Sequence, residues 1–128
     1  MRALLIALFL FANLFGAHSA DKNDASPEGL EEALAAVRQF KASLKLKEPK
    51  ELIALFIPSG HRRYGGYDYY YNYKANIAIR EELESRGKSA ESALRANATN
   101  RTRIWEAING PGDTIGSVCT SLLRNLAQ

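Results

Sequence analysis

The residues with the most distinctive chemistry are six tyrosines, which are all the tyrosines of this 128-residue chain and lie within residues 64–73 (YGGYDYYYNY). A tyrosine side chain joins a large apolar ring to a polar hydroxyl group, and it loses little conformational entropy when a complex fixes it. Three residues with basic character precede the segment and add positive charge. The pattern predicts a surface that binds an anionic or carbohydrate-bearing partner. Its predicted contact residues are His61, Arg62, Arg63, Tyr64, Tyr67, Tyr69 and Tyr71.

The same tyrosines also fit a packing role. In an extended backbone, alternate tyrosines from Tyr67 to Tyr73 lie on one face. If instead Asp68 caps a helix, Tyr69 and Tyr73 lie one turn apart. The rings would then fill the gap between two helical layers while their hydroxyl groups reach water. Packing, recognition and cross-linking of the tyrosines in a structural matrix all remain open at this point.

A dibasic pair, Arg62 and Arg63, allows another interpretation of this segment, because such pairs are processing sites in secreted precursors. The next four residues resemble YGGF, the sequence that opens opioid peptides, and depart from it at Tyr67. No second dibasic pair follows downstream to release a short peptide. A peptide precursor is therefore retained as an alternative to a folded binding domain.

Residue types that catalyse reactions or bind metals are sparse. Once a leader of residues 1–20 is removed, His61 is the single histidine, and its two arginine neighbours do not suit a metal site or a catalytic triad. The carboxylates within residues 81–84 form a charged helix face, which is typical of a solvated surface. No glycine-rich phosphate loop is present in the sequence. We therefore predict no enzyme activity, no cofactor and no metal site.

Cys119 is the only cysteine of the chain, so an intrachain disulfide is impossible. It falls on the apolar stripe of the last predicted helix, where a small buried thiol is the simplest interpretation. An interchain disulfide that links two copies of the chain into a homodimer is the alternative.

Residues 1–20 have the layout of a secretory signal peptide that is cleaved near Ser19 or Ala20. A positive Arg2 is followed by an apolar stretch, residues 3–15, and then by small residues. The stretch is shorter than the roughly 20 apolar residues that span a bilayer. We therefore predict a secreted, extracellular protein with no membrane span and one domain, residues 21–128. Loss of Arg2 leaves 16 of the 17 basic residues against 14 acidic ones, and this balance of about +2 does not favour nucleic-acid binding.

The spacing of apolar residues in this domain predicts an all-α fold, a small bundle of four to five short helices. Ser26 and Pro27 suit the start of a helix that runs to about Lys47. The continuously apolar residues 52–57, which follow Pro49, predict a short buried helix, with a buried strand as the alternative. Further helices are predicted over residues 73–87, 89–108 and 114–126, the last capped by Asp113. Residues 58–73 are predicted to form a Gly/Tyr-rich connecting segment.

The first and last of these helices have apolar residues at spacings of three and four, which place them on one face. In the first helix these residues are Leu30, Ala33, Leu34, Val37, Phe40 and Leu44. In the last helix they are Ile115, Val118, Cys119, Leu122 and Leu126. Both faces are predicted to line the core.

Two N-glycosylation sequons follow one another, with Asn97 in Asn-Ala-Thr and Asn100 in Asn-Arg-Thr. In a continuous helix over residues 89–108, Asn97 would point into the apolar stripe and Asn100 towards its edge. Arg101 would also fall within the stripe, where it would need an acidic partner or a route to water. Asn100 is therefore the favoured acceptor, unless the helix is interrupted here.

The predicted function is binding by a secreted, non-enzymatic helical protein through the tyrosine-rich, locally basic residues 61–71. The predicted partner is an extracellular protein or carbohydrate. The alternatives are a structural component cross-linked through its tyrosines and a precursor processed at Arg62 and Arg63.

Overall fold

The structure, a computed structural model, describes residues 27–59, 68–104 and 113–128. The described residues are mostly helical and contain no strand, which confirms the prediction of an all-α protein. The predicted signal peptide and the Ser26 cap lie outside these ranges. None of the described helices has the length and apolar character that crossing a membrane requires. The elements are α1 (Pro27–Leu44), α2 (Pro49–Ala54), α3 (Asp68–Arg86), a 3-10 helix (Gly87–Ala90), α4 (Glu91–Ala96) and α5 (Ile115–Leu126).

Helices α1 and α3 make the most extensive contact between elements of the described chain. Phe40 packs against Tyr71 with ring centroids 6.3 Å apart, and just beyond the end of α1 the Lys45 ammonium lies 3.2 Å from the Glu82 carboxylate. The contacts follow the same order along both helices, so α1 and α3 run in the same direction. Their C-terminal ends, which carry partial negative charge, are consequently adjacent.

Arg86 in the last turn of α3 lies at this pair of C-terminal ends. Its guanidinium donates hydrogen bonds to the carbonyl oxygens of Leu44 at 3.1 Å and Lys45 at 3.4 Å, and to the Glu82 carboxylate at 2.9 Å. One cation therefore satisfies carbonyl groups that α1 leaves without helical partners and offsets the negative end of α3.

The main core draws on every described helix. Its members are the buried residues Leu44, Leu52, Ile53, Phe56, Ala78, Ile79, Leu83, Ala90, Leu94, Ile104, Ile115, Val118, Cys119 and Leu122. A smaller cluster, in which Ile57, Tyr71 and Ala75 are buried, lies beside it and is flanked by Ala36, Val37 and Phe40 of α1. Of the predicted α1 stripe, Ala33 and Leu44 are buried, whereas Leu30 remains 36% exposed.

The segment after α1 forms a short helix, as predicted, but the helix covers Pro49–Ala54 and not residues 55–57, because its first residues cap it. Pro49 occupies the first helical position, and the Glu51 carboxylate accepts a 2.7 Å hydrogen bond from the Glu48 N–H. Helix α2 ends at Ala54, so the chain continues through the buried Phe56 and Ile57 without regular structure.

The buried Asn76 holds this irregular segment against α3. Its Oδ1 accepts a hydrogen bond from the Ile57 N–H at 2.8 Å. Its Nδ2 donates to the carbonyl oxygens of Ile57 at 3.1 Å and Ile104 at 2.8 Å. A single side chain thereby satisfies buried backbone groups from two segments that no helix or sheet would satisfy.

Helix α3 begins at Asp68, earlier than the start near Tyr73 that the sequence predicts, so residues 68–73 are helical and not part of a connecting segment. Tyr71 and Ala75 are buried one turn apart and begin the core-facing side of the helix. The extended alternation of tyrosines is therefore wrong within this stretch. The predicted stop at Gly87 is confirmed, because its φ of +57° is the left-handed conformation that favours glycine after a helix.

The predicted helix over residues 89–108 is wrong for residues 97–104, because the helix ends at Ala96, and residues 105–108 lie outside the described ranges. Asn100 Oδ1 accepts a 3.0 Å hydrogen bond from the Thr102 N–H, a local turn that competes with helical bonding. The chain then runs back along the start of α5, where Ile104 N–H donates to the Asp113 carbonyl at 2.9 Å. Arg101 is consequently exposed and not part of an apolar stripe.

Helix α5 begins one residue later than the predicted Asp113 cap implies. Thr114 is the N-cap: its Oγ1 accepts from the Ser117 N–H at 3.0 Å, and its own N–H donates to the Ser117 Oγ at 3.0 Å. The predicted apolar face is confirmed by the burial of Ile115, Val118, Cys119 and Leu122, with Leu126 half-buried.

Candidate functional site

The N-terminal half of α3 carries aromatic side chains on two opposite sides. Tyr71 and Ala75 face the core, whereas Tyr70, Tyr73 and Lys74 follow the helical period on the other side. Tyr73 is 40% exposed and Tyr70 is half-buried. We call Tyr70, Tyr73 and Lys74 the tyrosine face of α3.

A lysine lies against one of these rings. The Lys74 ammonium is 5.8 Å from the centroid of the Tyr70 ring, within the range of a cation–π contact. The two residues are four positions apart, the spacing at which helical side chains meet. The contact holds a positive charge beside an aromatic surface, an arrangement that suits an anionic or hydroxyl-rich partner.

Tyr71 does not belong to an exposed surface, contrary to the prediction. Its side chain is only 4% exposed and packs edge-on against Phe40, with an interplanar angle of 65°. The ring lies where α1 and α3 meet, so the packing interpretation applies to this tyrosine.

The other predicted contact residues can be compared with the structure only in part. His61, Arg62, Arg63, Tyr64 and Tyr67 lie outside the described residues. Tyr69 belongs to the second position of α3, and the structure describes its backbone only. The basic segment therefore leads directly in sequence to the N-terminus of the helix that carries the tyrosine face.

The two sequons lie in the turn that follows α4. Asn97 Nδ2 donates to the Ala93 carbonyl at 3.0 Å, and Asn100 Nδ2 donates to Asn97 Oδ1 at 3.3 Å. Both asparagines are half-buried, and neither points into an apolar stripe, because the helix ends before them. Use of either sequon remains a prediction.

This turn is fastened to the first turn of α5. The Gly116 N–H donates to the Asn100 carbonyl at 2.8 Å, and the Ile115 N–H donates to the Thr102 carbonyl at 2.9 Å. A Cβ atom at Gly116 would lie 2.6 Å from the Ala98 carbonyl oxygen, so the close approach requires glycine. These bonds and the Thr114 cap occupy the N–H groups at the start of α5.

Cys119 is fully buried, and burial raises the pKa of its thiol to about 11. The thiol is therefore protonated at neutral pH and is a poor nucleophile. A disulfide to a second chain requires α5 to expose this sulfur first.

A shallow groove of about 320 Å³ lies between the C-terminal halves of α1 and α3. Its polar lining includes Lys41, Lys45, Glu81 and Glu82. The hydrogen bond from Arg86, with a further one from Lys45, holds the pKa of the Glu82 carboxyl below its ordinary value, although burial opposes the shift. Across the described parts of the chain, no group of three or more potential metal ligands is close enough to hold an ion.

Two features are not predicted from the sequence: the buried hydrogen bonds of Asn76, and the contact between Tyr70 and Lys74 on the tyrosine face. An asparagine within a helix is usually exposed, so nothing in the sequence indicated that Asn76 is the fully buried connection between segments. The spacing of four residues could have identified the pair of Tyr70 and Lys74 once a helix was assumed.

No protein-family model matches this sequence, and comparison with curated proteins and with solved structures finds no similar protein.

Proposed function

We propose that this protein is an exported, non-enzymatic binding protein that contacts an extracellular protein or an anionic carbohydrate through its tyrosine-rich, basic region. The contact region combines residues 61–67 with the tyrosine face of α3. The region does not include Tyr71, which is buried; its helical part is formed by Tyr70, Tyr73 and Lys74. The leader pattern of residues 1–20 supports export.

The observation that carries the proposal is the arrangement of the tyrosine face. Tyr73 keeps 40% of its surface in water, and the Lys74 ammonium lies beside the neighbouring Tyr70 ring. Aromatic side chains on a packed helix are already ordered, so binding sacrifices little of their conformational entropy. Arg62 and Arg63, which precede α3 in the sequence, add positive charge to the proposed contact region.

The burial pattern disfavours the peptide-precursor alternative. Residues on the N-terminal side of Arg63, among them Leu44 and Leu52, pack in the same core as Val118 and Leu122 of α5. Cleavage after Arg63 and departure of the first fragment would expose that core to water. The Arg62 and Arg63 pair thus connects two parts of one folded unit.

Covalent cross-linking through tyrosines is a second candidate function, because Tyr73 is exposed. A peroxidase-type oxidant can couple an accessible phenol to a second phenol by removing one electron and one proton from each ring, whereas the ring of Tyr71 is buried. Acid hydrolysis of the naturally exported protein, followed by fluorescence detection of dityrosine, distinguishes this candidate from reversible binding.

A site-specific cross-linking experiment tests the binding proposal. The photoreactive amino acid p-benzoylphenylalanine replaces Tyr73, and in a matched control it replaces Arg95, which is exposed on α4. After illumination in the native extracellular fluid, we expect a covalent adduct at position 73 and none at position 95. In a second measurement, the wild-type protein and its Lys74→Gln variant are applied to immobilised heparin, which serves as a polysaccharide probe. We expect the variant to elute at lower salt. Absence of both an adduct at position 73 and heparin retention would overturn the proposal.

A further inference from the structure

The turn between α1 and α2 presents an apolar side chain to water. Leu46 is 90% exposed, whereas Leu44, two residues earlier, is 1% exposed and belongs to the main core. Single exposed apolar residues are common on protein surfaces. What distinguishes Leu46 is its setting, since lysines flank it at positions 45 and 47.

The backbone that presents Leu46 is fixed on both sides. The Leu44 carbonyl accepts hydrogen bonds from the Lys47 N–H and from the Arg86 guanidinium, each at 3.1 Å. Pro49 then opens α2 under the cap that Glu51 provides. Leu46 therefore protrudes from an ordered turn, and binding through it orders little additional chain. We call residues 45–47 the lysine–leucine turn.

Lysines predominate along the lysine–leucine turn, although the carboxylates of Glu81 and Glu82 line the groove beside Lys41 and Lys45. Residues 41–50 contain four lysines and one glutamate. Lys41, Lys45 and Lys50 are exposed, and the Lys45 side chain remains 72% exposed although it pairs with Glu82. The nearby Glu51 carboxylate bonds to the α2 backbone and forms no ion pair with these lysines among the described contacts.

We propose that the lysine–leucine turn is a membrane-contact site that docks on a bilayer surface with anionic headgroups. Leu46 enters the boundary between headgroups and acyl chains, and the surrounding ammonium groups lie at the level of the lipid phosphates and carboxylates. A lipid surface fits this arrangement better than a protein does. One protruding leucine with exposed lysines around it offers far less than the roughly 800 Å² that each side of a stable protein interface buries. The site is independent of the tyrosine face.

Vesicle sedimentation tests this proposal with the full mature chain. One vesicle preparation mixes phosphatidylserine with phosphatidylcholine, and the other contains phosphatidylcholine alone. We expect binding to the mixed vesicles that weakens as salt is raised, and little binding to the neutral ones. Replacement Leu46→Ser should lower the partition coefficient about tenfold, because it removes the apolar group that enters the interface. The double replacement Lys47→Gln with Lys50→Gln should flatten the salt dependence.

Leu30→Ser is the matched control, because Leu30 is also partly exposed but lies in the first turns of α1, away from the lysine–leucine turn. Circular dichroism of each variant confirms that the helices are retained. Equal binding to both vesicle types would overturn the proposal. Binding that survives Leu46→Ser unchanged would also overturn it, since another surface, such as the basic region at residues 61–67, would then be responsible.

Discussion

The side-chain amide of Asn76 pairs with the backbone of Ile57 through two hydrogen bonds, one accepted at 2.8 Å and one donated at 3.1 Å. A further bond from the same amide reaches the Ile104 carbonyl at 2.8 Å. Asn76 is fully buried, so these groups have no access to water as an alternative partner. Two irregular segments of the chain are therefore positioned by one side chain of α3.

We expect Asn76→Ala to lower the free energy of unfolding by about 2–4 kcal/mol, because it leaves buried donors and acceptors without partners and opens a small cavity. Asn76→Asp should be at least as harmful, since a carboxylate oxygen would face two carbonyl oxygens. Urea denaturation measures both variants, and Asn125→Ala at an exposed position of α5 is the control. A loss of less than about 0.5 kcal/mol for Asn76→Ala would contradict this role.

Gly116 lies close to the turn that follows α4 and carries the two sequons, and we predict that substitution of this glycine lowers stability. We expect Gly116→Ala to destabilise the protein by about 1–3 kcal/mol, because the added methyl group collides with the carbonyl oxygens of Ala98 and Asn100. In an exposed helix the same replacement would be stabilising. Thermal unfolding of Gly116→Ala beside Thr120→Ala, an exposed position of the same helix, gives the comparison; a higher melting temperature for Gly116→Ala would refute the close approach.

The hydrogen bonds that Arg86 and Lys45 donate to Glu82 predict a dependence of stability on pH. The folded protein lowers the pKa of the Glu82 carboxyl from its ordinary 4.5, so ionised Glu82 favours the folded state. This contribution is complete above the unfolded pKa and is lost as the pH falls through the lowered folded value. We expect the stability advantage of wild type over Glu82→Gln to shrink as urea titrations move from about pH 7 to about pH 3.

Glu84→Gln, which replaces an exposed carboxyl on the same helix, is the control for that series. An advantage of wild type over Glu82→Gln that stayed constant, or grew, on acidification would show that the ion pairs do not hold the carboxyl ionised.

The burial of Cys119 predicts slow reaction with thiol reagents. A protonated, fully buried sulfur reacts only when α5 opens, so labelling by Ellman's reagent should take far longer in buffer than in denaturant. The exported protein should then keep the same intact mass with and without reduction. A mass that halves on reduction would instead establish the interchain disulfide and a dimer.

The turn after α4 predicts which sequon is used. Asn97 Nδ2 is directed back to the Ala93 carbonyl, whereas Asn100 Nδ2 contacts only the Asn97 side chain, which can reorient around a glycan. We expect Asn100→Gln to abolish the mass shift that peptide N-glycosidase causes in the exported protein. Asn97→Gln should leave that shift in place, and the reverse pattern would contradict the assignment.

The sequence predicted those elements in which local signals agree with tertiary packing. In α5 two signals indicate the same helix: the apolar stripe of Val118, Cys119 and Leu122, and a capping residue nearby. The predicted start lies within one residue of the observed one. Pro49 likewise decided between helix and strand for α2. In both segments, the residues that define the period are the ones that the core buries.

The failures occurred where a residue serves a purpose that its type does not reveal. The tyrosines around Tyr71 predict a recognition role for it, whereas its ring is part of the core. Ile104 fits the helical period, so the sequence predicts a helix through residues 97–104. The structure differs because the Asn100 side chain bonds to the Thr102 N–H and because Arg103 pairs with Thr114, which local periodicity does not indicate. Burial of Asn76 is likewise a tertiary property that no local pattern reports.

The contribution of α5 to the main core has a consequence for biosynthesis. Val118, Cys119 and Leu122 of α5 are synthesised after α1, α2 and α3, and they belong to the same buried cluster as Leu44 and Leu52. The earlier helices can begin to pack on one another, but this core stays incomplete until α5 has left the ribosome. Until then, part of the apolar surface of these helices remains open to water and to other proteins.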